Sequence, residues 1–316
     1  MSVVMPYIML ILGFFLLIKG ADFFVDGSGS IARKLRIPDI IVGLTIVAMG
    51  TSAPELAVSV SAALGGSSDI SLGNVVGSNL LNILIILGLS AVIVPLSVDK
   101  SMFKRDFPML LVTAVILPLI CVIGGNSVGR IGGIILLAIF ICYIIMTVKS
   151  AIDYRKNGNA SDEDSIKILP WWKSILFTVG GAVVIIIGGN ISVDSATEIA
   201  RQLGISEAII GLTIVALGTS LPELVTSVVA ARKGNSDIAL GNIVGSNIFN
   251  VLLILGTTSV IKPFSVSGNS IIDMIILLGV TIYLIIASAT GKKISRAEGA
   301  SFLVLYCLYA VYIFLR

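Results

Sequence analysis

A long internal repeat dominates the sequence: residues 41–88 align with residues 209–256 at a constant offset of 168, without a gap, and 33 of the 48 paired positions are identical. Each copy carries two motifs, GTSAPEL or GTSLPEL first, then GNVVGSNLLN or GNIVGSNIFN. Because the matches include polar residues and glycines, apolar composition alone does not explain them. The repeat predicts two equivalent halves that share one polar site.

The composition places these halves in a membrane. The chain is 56% hydrophobic and 12% charged, with a mean hydropathy of +1.08, whereas soluble domains carry about 25% charged residues. A spanning helix needs about 20 apolar residues. Ten segments meet this requirement, roughly 4–31, 38–64, 70–95, 104–123, 130–149, 172–199, 206–231, 238–261, 270–289 and 297–315. The predicted fold class is an all-α integral membrane protein with ten transmembrane helices.

The repeat offset covers five spans, an odd number, so the two copies cross the membrane in opposite directions. The predicted organisation is a first five-helix repeat over 1–150, a cytoplasmic linker over 151–170, and a second, inverted five-helix repeat over 171–316. Inverted repeats build a site near the bilayer midplane at the interface between the copies, often from interrupted helices.

The basic residues of the loops predict the orientation. With the N-terminus outside, the cytoplasmic loops carry 16 Lys and Arg residues and the external loops and ends carry four, with Lys19 left out because it lies inside a span. An excess of Lys and Arg is typical of the cytoplasmic loops of membrane proteins. We therefore expect a multi-pass protein of the cell membrane with both termini outside.

Several function classes are excluded or disfavoured. The chain has no histidine, which removes Ser-His catalysis, His-ligated metals and a His proton relay. It has no Walker-type phosphate loop, and no signal peptide is evident. Cys121, Cys142 and Cys307 all fall in apolar spans and are interpreted as packing residues. We expect no enzyme activity, no cofactor, no nucleic-acid partner and no protein partner; the lipid bilayer is the expected surrounding.

A proline interrupts the first motif in each copy. Pro54 and Pro222 each remove one backbone hydrogen bond and crowd the carbonyl four residues back, that of Gly50 or Gly218. Freed carbonyls are tolerated at membrane depth only where protein or a watered cavity satisfies them. A broken helix with a polar lining is therefore predicted in both copies.

Glu55 and Glu223 directly follow these prolines. A charge near the middle of a span costs at least about 2.5–3.5 kcal/mol on insertion scales, so a functional reason is expected. The alternative is a structural acid paired with a base, but Lys19 is the only basic residue deep in a span and cannot serve both. Carboxylate, hydroxyl and carbonyl oxygens are ligands suited to Ca²⁺ and Na⁺.

Neutral oxygens accompany the carboxylates in both copies. The candidate side-chain ligands are Thr51, Ser52, Ser78 and Asn82 in the first copy and Thr219, Ser220, Ser246 and Asn250 in the second. Hydroxyls that bond back to their own helices, and amides that join helices, are the structural alternatives. Asn74, Asn79, Asn242 and Asn247 are interpreted as structural, and Asp22, Asp26 and Asp194 as residues of a wetted interface.

With these paired motifs the sequence resembles the cation/Ca²⁺ exchanger superfamily, and the two copies look like the alpha repeats of prokaryotic Na⁺/Ca²⁺ exchangers. The resemblance implies a core formed by spans two, three, seven and eight, with spans one and six as a sliding pair across it. It implies that the ligands are Thr51, Ser52, Glu55, Ser78, Asn82, Thr219, Ser220, Glu223, Ser246 and Asn250, with the backbone oxygens of Ala48 and Ala216. The implied activity is antiport of Na⁺ against Ca²⁺ by alternating access.

The coupling ion is suggested by one position of the second motif. K⁺-dependent exchangers of this superfamily, and some archaeal relatives, have an aspartate where Asn250 stands, whereas both copies here have asparagine, Asn82 and Asn250. This favours Na⁺ coupling without K⁺. Two carboxylates also predict an electrogenic cycle, since one Ca²⁺ neutralises them and three Na⁺ leave one positive charge. H⁺/Ca²⁺ antiport, K⁺-dependent Na⁺/Ca²⁺ antiport and a cation channel remain as alternatives.

Overall fold

The structure is a computed structural model that describes residues 4–65, 68–156, 168–205 and 216–315. Its helices are α1 (Met5–Leu35), α2 (Asp39–Thr51), α3 (Ala53–Leu64), α4 (Ser71–Ile93), α5 (Met102–Ile123), α6 (Arg130–Lys156), α7 (Trp171–Gln202), α8 (Ala216–Gly218), α9 (Leu221–Arg232), α10 (Ser236–Ile261), α11 (Gly268–Gly291) and α12 (Arg296–Leu315).

These helices agree with the predicted spans. Within the described residues, eight helices are long and apolar enough to cross a membrane, and α2 with α3 makes a ninth span that is bent by 47°. The remaining predicted span, 206–231, the seventh along the chain, is represented by α8 and α9, and its first part, 206–215, lies outside the described residues. The protein is thus an all-helical membrane protein. Helix α6 continues to Lys156, past the predicted end at 149, and 157–167 of the predicted linker lie outside the described residues.

The predicted helix break is present and its local cause is visible. Ser52 leaves helical geometry with φ −82° and ψ 6°, and α3 then begins with Pro54 in its first turn. A proline is tolerated there because its missing N–H would have no partner inside the helix in any case. Ser220 and Pro222 repeat the arrangement ahead of α9.

Two short antiparallel strand pairs join the halves. β1 (Leu96–Ser97), which follows α4, pairs with β4 (Lys293–Ile294), which precedes α12. β2 (Ser127–Val128), which precedes α6, pairs with β3 (Phe264–Ser265), which follows α10. Each pair combines one strand of the first half with one of the second, so it links the halves outside the helices.

The helices divide into a buried core and less buried helices around it. α10 is almost completely buried and α4 largely so, whereas less than half of each of α1, α5, α6, α7, α11 and α12 is buried. α1 and α7 are antiparallel and very close: a Cβ added at Gly20 would lie 3.0 Å from the carbonyl oxygen of Gly181. Such close backbone approach through small residues is characteristic of tightly associated membrane helices. α1 and α7 therefore form one packed unit against the core.

Candidate ion-binding site

The two glutamates lie at the starts of the helices that follow the breaks. Glu55 is in the first turn of α3 and Glu223 in the first turn of α9, and each is 1% exposed. The positive ends of helix dipoles favour anions at this position. No ion pair among the described residues includes either glutamate. The structural alternative, a carboxylate neutralised by a base such as Lys19, is wrong in the described part of the chain.

Serines connect the two copies to each other's carboxylates. The Oγ of Ser52 donates to Oε1 of Glu223 at 2.9 Å and lies 3.0 Å from the Oγ of Ser246. In the second copy, the Oγ of Ser220 donates to Oε1 of Glu55 at 3.3 Å and lies 3.4 Å from the Oγ of Ser78. The four serines and two glutamates therefore form one cluster between the halves, as the inverted repeat predicts.

The asparagines form a second set of contacts between the copies. The Nδ2 of Asn82 donates to Oδ1 of Asn247 at 3.1 Å, and the Nδ2 of Asn250 donates to Oδ1 of Asn79 at 3.0 Å. The Nδ2 of Asn79 also donates to the carbonyl oxygen of Asn247 at 3.1 Å. All four residues are buried. The predicted structural role of Asn79 and Asn247 is thus a direct contact with the two candidate ligands.

The threonines differ between the copies. The Oγ1 of Thr51 donates to Oδ1 of Asn242 at 2.9 Å and also lies 3.2 Å from the carbonyl oxygen of Val47. Thr219, its equivalent, has no hydrogen-bond partner among the described residues. Asn242 and Asn74 themselves bond to equivalent serines, Ser227 and Ser59, at 2.9 and 3.0 Å. The amide NH₂ groups are thus bonded alike in the two copies, and residue 215, the equivalent of Val47, lies outside the described residues.

The backbone candidates also differ. The carbonyl oxygen of Ala48 accepts from the N–H of Ser52 at 3.0 Å and lies 3.3 Å from the hydroxyl of Thr51. In the second copy, the N–H of Ser220 bonds to the carbonyl of Leu217 at 3.2 Å, one residue beyond Ala216. Both candidates lie at the break, but Ala48 has two local partners for its oxygen in this conformation.

Several buried oxygens of the predicted ligands lack partners. Among the described residues, these are Oε2 of Glu55, Oε2 of Glu223, Oδ1 of Asn82, Oδ1 of Asn250 and Oγ1 of Thr219. Leaving one buried acceptor unsatisfied costs about 1–3 kcal/mol. Seven other buried side-chain atoms of the described residues, such as Oγ of Ser90 and Oγ1 of Thr147, also lack partners. Four of the five candidate-ligand oxygens are distinguished by coming in pairs from equivalent positions of the two copies. No group of three or more acidic, Cys or His side chains forms a metal cluster in the described residues, so the buried cluster combines two carboxylates with neutral oxygens.

Helices α2 and α10 are packed closely on one side of this cluster. A Cβ added at Gly241 of α10 would lie 2.8 Å from the carbonyl oxygen of Ile40 and 2.9 Å from the Cα of Gly43 in α2. Gly73 is the equivalent residue of α4, and the residues equivalent to Ile40 and Gly43, at 208 and 211, lie outside the described residues. Among the described residues, the cluster is therefore closed on the side where α2 begins.

A charge cluster on that closed side was not predicted from the sequence. The Nζ of Lys233, after α9, lies 2.7 Å from Oδ1 of Asp26 and 3.4 Å from Oδ1 of Asp22 on α1. It also donates to the carbonyl oxygen of Asp22 at 2.9 Å. Asp22 and Asp26 are partly exposed, as expected for a wetted interface, but they also tie α1 to the core. The residues at the repeat offset from Lys233 and Asp22 are Gly65 and Asn190.

Comparison with known proteins gives one consistent family. The profile of the sodium/calcium exchanger protein family matches residues 5–149 and 173–315. The putative antiporter CaxA of Alkalimonas amylolytica is 40% identical over 81% of this chain and 81% of its own length. The sodium/calcium exchanger MaX1 of Methanosarcina acetivorans is 34% identical over 98% of both chains. A solved structure of the sodium-calcium exchanger NCX_Mj superposes with a TM-score of 0.84 and 34% identity, over 98% of this chain and 99% of that one.

Proposed function

This chain belongs to the sodium/calcium exchanger protein family, and from that premise we propose that it is a secondary antiporter of the cell membrane that exchanges Na⁺ for Ca²⁺. The cycle is electrogenic, independent of K⁺, and works by alternating access. Ca²⁺ and Na⁺ are its substrates, and it uses no cofactor.

The observation that carries this proposal is the set of buried oxygens without partners. Two carboxylate oxygens and two amide oxygens come from equivalent positions of the two copies, Glu55 with Glu223 and Asn82 with Asn250. Hard oxygen donors of this kind suit Ca²⁺, which takes six to eight oxygen ligands in flexible geometry. A bound cation satisfies these oxygens together and removes the cost of burying them.

The formal charge of the cluster supports exchange with net charge movement. Glu55 and Glu223 contribute two negative charges, and no basic side chain among the described residues neutralises them. One Ca²⁺ brings the cluster to zero and three Na⁺ bring it to +1. With both carboxylates ionised, an ion-free cluster would place two unneutralised charges at membrane depth, which would oppose movement without cargo and favour obligatory exchange.

The inverted repeat supports alternating access. The two copies have nearly the same sequence, and the described residues show one close packing, that of α2 against α10 at Gly241. A second conformation, in which the equivalent segments of the other copy pack in this way, would open the site to the opposite side. With the N-terminus outside, the close packing of α2 against α10 lies on the cytoplasmic side.

The experiment is ⁴⁵Ca²⁺ uptake into proteoliposomes under Na⁺, K⁺ and H⁺ gradients applied separately. We expect an outward Na⁺ gradient alone to drive uptake. Uptake driven by a pH gradient but not by Na⁺ would support H⁺/Ca²⁺ antiport, and a strict need for K⁺ would contradict the inference drawn from Asn250. Ca²⁺ conductance without any counter-ion would support a channel.

A further inference from the structure

The side chain of Asn79 is held in one orientation by a backbone group. Its Nδ2 lies 3.1 Å from the carbonyl oxygen of Asn247. A carbonyl oxygen only accepts hydrogen bonds, so the part of the Asn79 amide that faces it must be the NH₂ group. This contact therefore determines that Oδ1 of Asn79 points the other way, although an amide's N and O have nearly the same shape.

The orientation of Asn79 is passed on to Asn250. The Oδ1 of Asn79 accepts from Nδ2 of Asn250 at 3.0 Å. Since Asn250 must present its NH₂ group to this oxygen, its own Oδ1 is turned away from Asn79, and that oxygen has no partner among the described residues. Asn79 is 2% exposed and Asn250 is 0% exposed, so water does not compete for these bonds.

The equivalent pair of asparagines, Asn82 with Asn247, has no corresponding hydrogen bond to a backbone carbonyl among the described residues. The Nδ2 of Asn82 donates to Oδ1 of Asn247 at 3.1 Å, and Oδ1 of Asn82 is again without a partner. The Nδ2 of Asn247, however, has no partner among the described residues. The oxygen of Asn82 is thus oriented by one hydrogen bond, and that of Asn250 by a chain of two that ends on a backbone carbonyl.

We propose that Asn79 and Asn247 are positioning residues that hold the side-chain oxygens of Asn250 and Asn82 towards the transported cation. A flipped amide would present NH₂, a donor, to the cation and would remove one ligand. Neither positioning residue touches the ion; each acts through the asparagine of the other copy. The side chain of Asn250, held by Asn79, is oriented more strongly than that of Asn82, held by Asn247. This inference rests on the proposed function, because it takes Ca²⁺ as the ligand.

The test is a double-mutant cycle on equilibrium Ca²⁺ binding, measured by calorimetry on purified protein in Na⁺-free buffer. Asn79→Leu keeps the number and branching of the side-chain heavy atoms and removes both hydrogen bonds, and we expect Ca²⁺ binding to weaken about tenfold. In the Asn250→Ala background the same change should cost less than about twofold, because no amide remains to be oriented. In the Asn82→Ala background it should again cost about tenfold.

The pair of Asn247 with Asn82 provides the matched control. In the otherwise unchanged protein, Asn247→Leu should weaken Ca²⁺ binding about threefold. This effect should disappear in the Asn82→Ala background and remain in the Asn250→Ala background. Equal effects of Asn79→Leu in both backgrounds would mean that Asn79 only packs the helices, and would overturn the proposal. If Asn79→Leu does not elute as a folded protein, the Asn247 cycle decides alone.

Failure of the proposed function gives a different result. If the unchanged protein binds Ca²⁺ but a Na⁺ gradient drives no Ca²⁺ flux, the exchange activity is wrong while the cycle still judges the positioning role. If exchange is normal and the two substitutions within each asparagine pair have additive effects on Ca²⁺ affinity, the positioning role is wrong and the exchange activity stands.

Discussion

Ser52 and Ser220 each stand three residues before a glutamate, which is the spacing of a helix capping box. In a capping box the serine would accept from the N–H groups of its own helix. Neither serine makes such a bond; instead each donates to the glutamate of the other copy. The helix starts beside Glu55 and Glu223 therefore lack a side-chain cap, and the hydroxyls join the halves. In both copies, the serine of a capping-box spacing thus bonds to a distant part of the chain and not to its own helix.

Removing either carboxylate should abolish exchange. Glu55→Gln and Glu223→Gln are nearly isosteric and keep one oxygen to accept from the serine, so folding should be retained. Each removes a charge and a ligand oxygen, and a buried contact between a carboxylate and a cation is worth more than about 1.4 kcal/mol. We expect Ca²⁺ affinity to fall by more than about tenfold, measured by calorimetry and by ⁴⁵Ca²⁺ flux.

A glutamate outside the cluster serves as the control for these variants. Glu298 bonds to the N–H of Ser295 at 2.7 Å near the start of α12, and Glu298→Gln should leave exchange unchanged. Normal Ca²⁺ affinity in Glu223→Gln would remove Glu223 from the site.

At the scale of elements, the site combines two kinds of irregular helix. α2 and α3 break at Ser52, and α4 and α10 change to π-helical geometry at Asn82 and at Asn250. π-turns are uncommon and occur frequently at functional sites. The breaks follow from the prolines in the sequence. The π-helical segments of α4 and α10 begin at the candidate amide ligands without a proline or other obvious local signal, and two further π-helical segments, Gly43–Val47 and Met102–Asp106, begin elsewhere.

The paired glycines of α10 and α4 test whether the two halves exchange their packing. Gly241→Ala puts a Cβ 2.8 Å from the carbonyl oxygen of Ile40, so we expect it to destabilise the closed packing by about 1–3 kcal/mol. Gly73→Ala meets no atom of the described residues within 4 Å and should leave thermal stability unchanged or slightly raised. Both should impair exchange, because alternating access gives each glycine the close contact in one of the two conformations.

Thermal unfolding in detergent and ⁴⁵Ca²⁺ exchange are the two measurements for this pair. Normal exchange by Gly73→Ala would show that α4 never takes up the packing seen for α10, and would contradict alternation between equivalent halves.

Lys233 should bias the position of the α1–α7 unit against the core. Its ion pairs with Asp26 and Asp22 are partly exposed, with side-chain accessibility of 27% for Lys233, so their removal is worth about 0.2–1 kcal/mol. We expect Lys233→Ala to shift the population between conformations up to about fivefold. Spin-label distances between the ends of α1 and α9 on this side should then show a larger open fraction.

Lys19→Ala is the matched control for the charge pair. Its Nζ lies 3.8 Å from Asp22 on the same helix, and its side chain is 53% exposed. The distance distribution should not change in this variant. An unchanged distribution in Lys233→Ala as well would show that the ion pairs do not contribute to the balance between conformations.

For the whole molecule, the inverted repeat explains the central site. The two halves contribute equivalent carboxylates, serines and amides, and the strand pairs link the halves outside the helices. The contacts between the copies are not identical, because Nδ2 of Asn79 donates to the backbone of Asn247 whereas Nδ2 of Asn247 has no partner among the described residues. A nearly symmetric sequence thus forms contacts that are not symmetric.

Exchange should respond to membrane voltage. If three Na⁺ move against one Ca²⁺, one net charge crosses per cycle, which couples at about 2.3 kcal/mol per 100 mV. An inside-negative potential should speed Na⁺ influx with Ca²⁺ efflux and slow the reverse. The measurement is ⁴⁵Ca²⁺ flux with the potential clamped by K⁺ and valinomycin. Flux that is indifferent to the clamp would indicate two Na⁺ per Ca²⁺.

The sequence by itself determined the membrane class, the inverted halves and the helix breaks, and it predicts the residues of the candidate site. These are local properties: hydropathy marks the spans, and proline next to an acid marks the breaks. Tertiary structure alone decided that Ser52 contacts Glu223, that Asn250 donates to Asn79, and that Lys233 reaches α1. The physical reason for this division is the repeat itself. Since 33 of 48 paired positions are identical, the two copies have nearly the same local preferences, and only contacts between distant segments distinguish them.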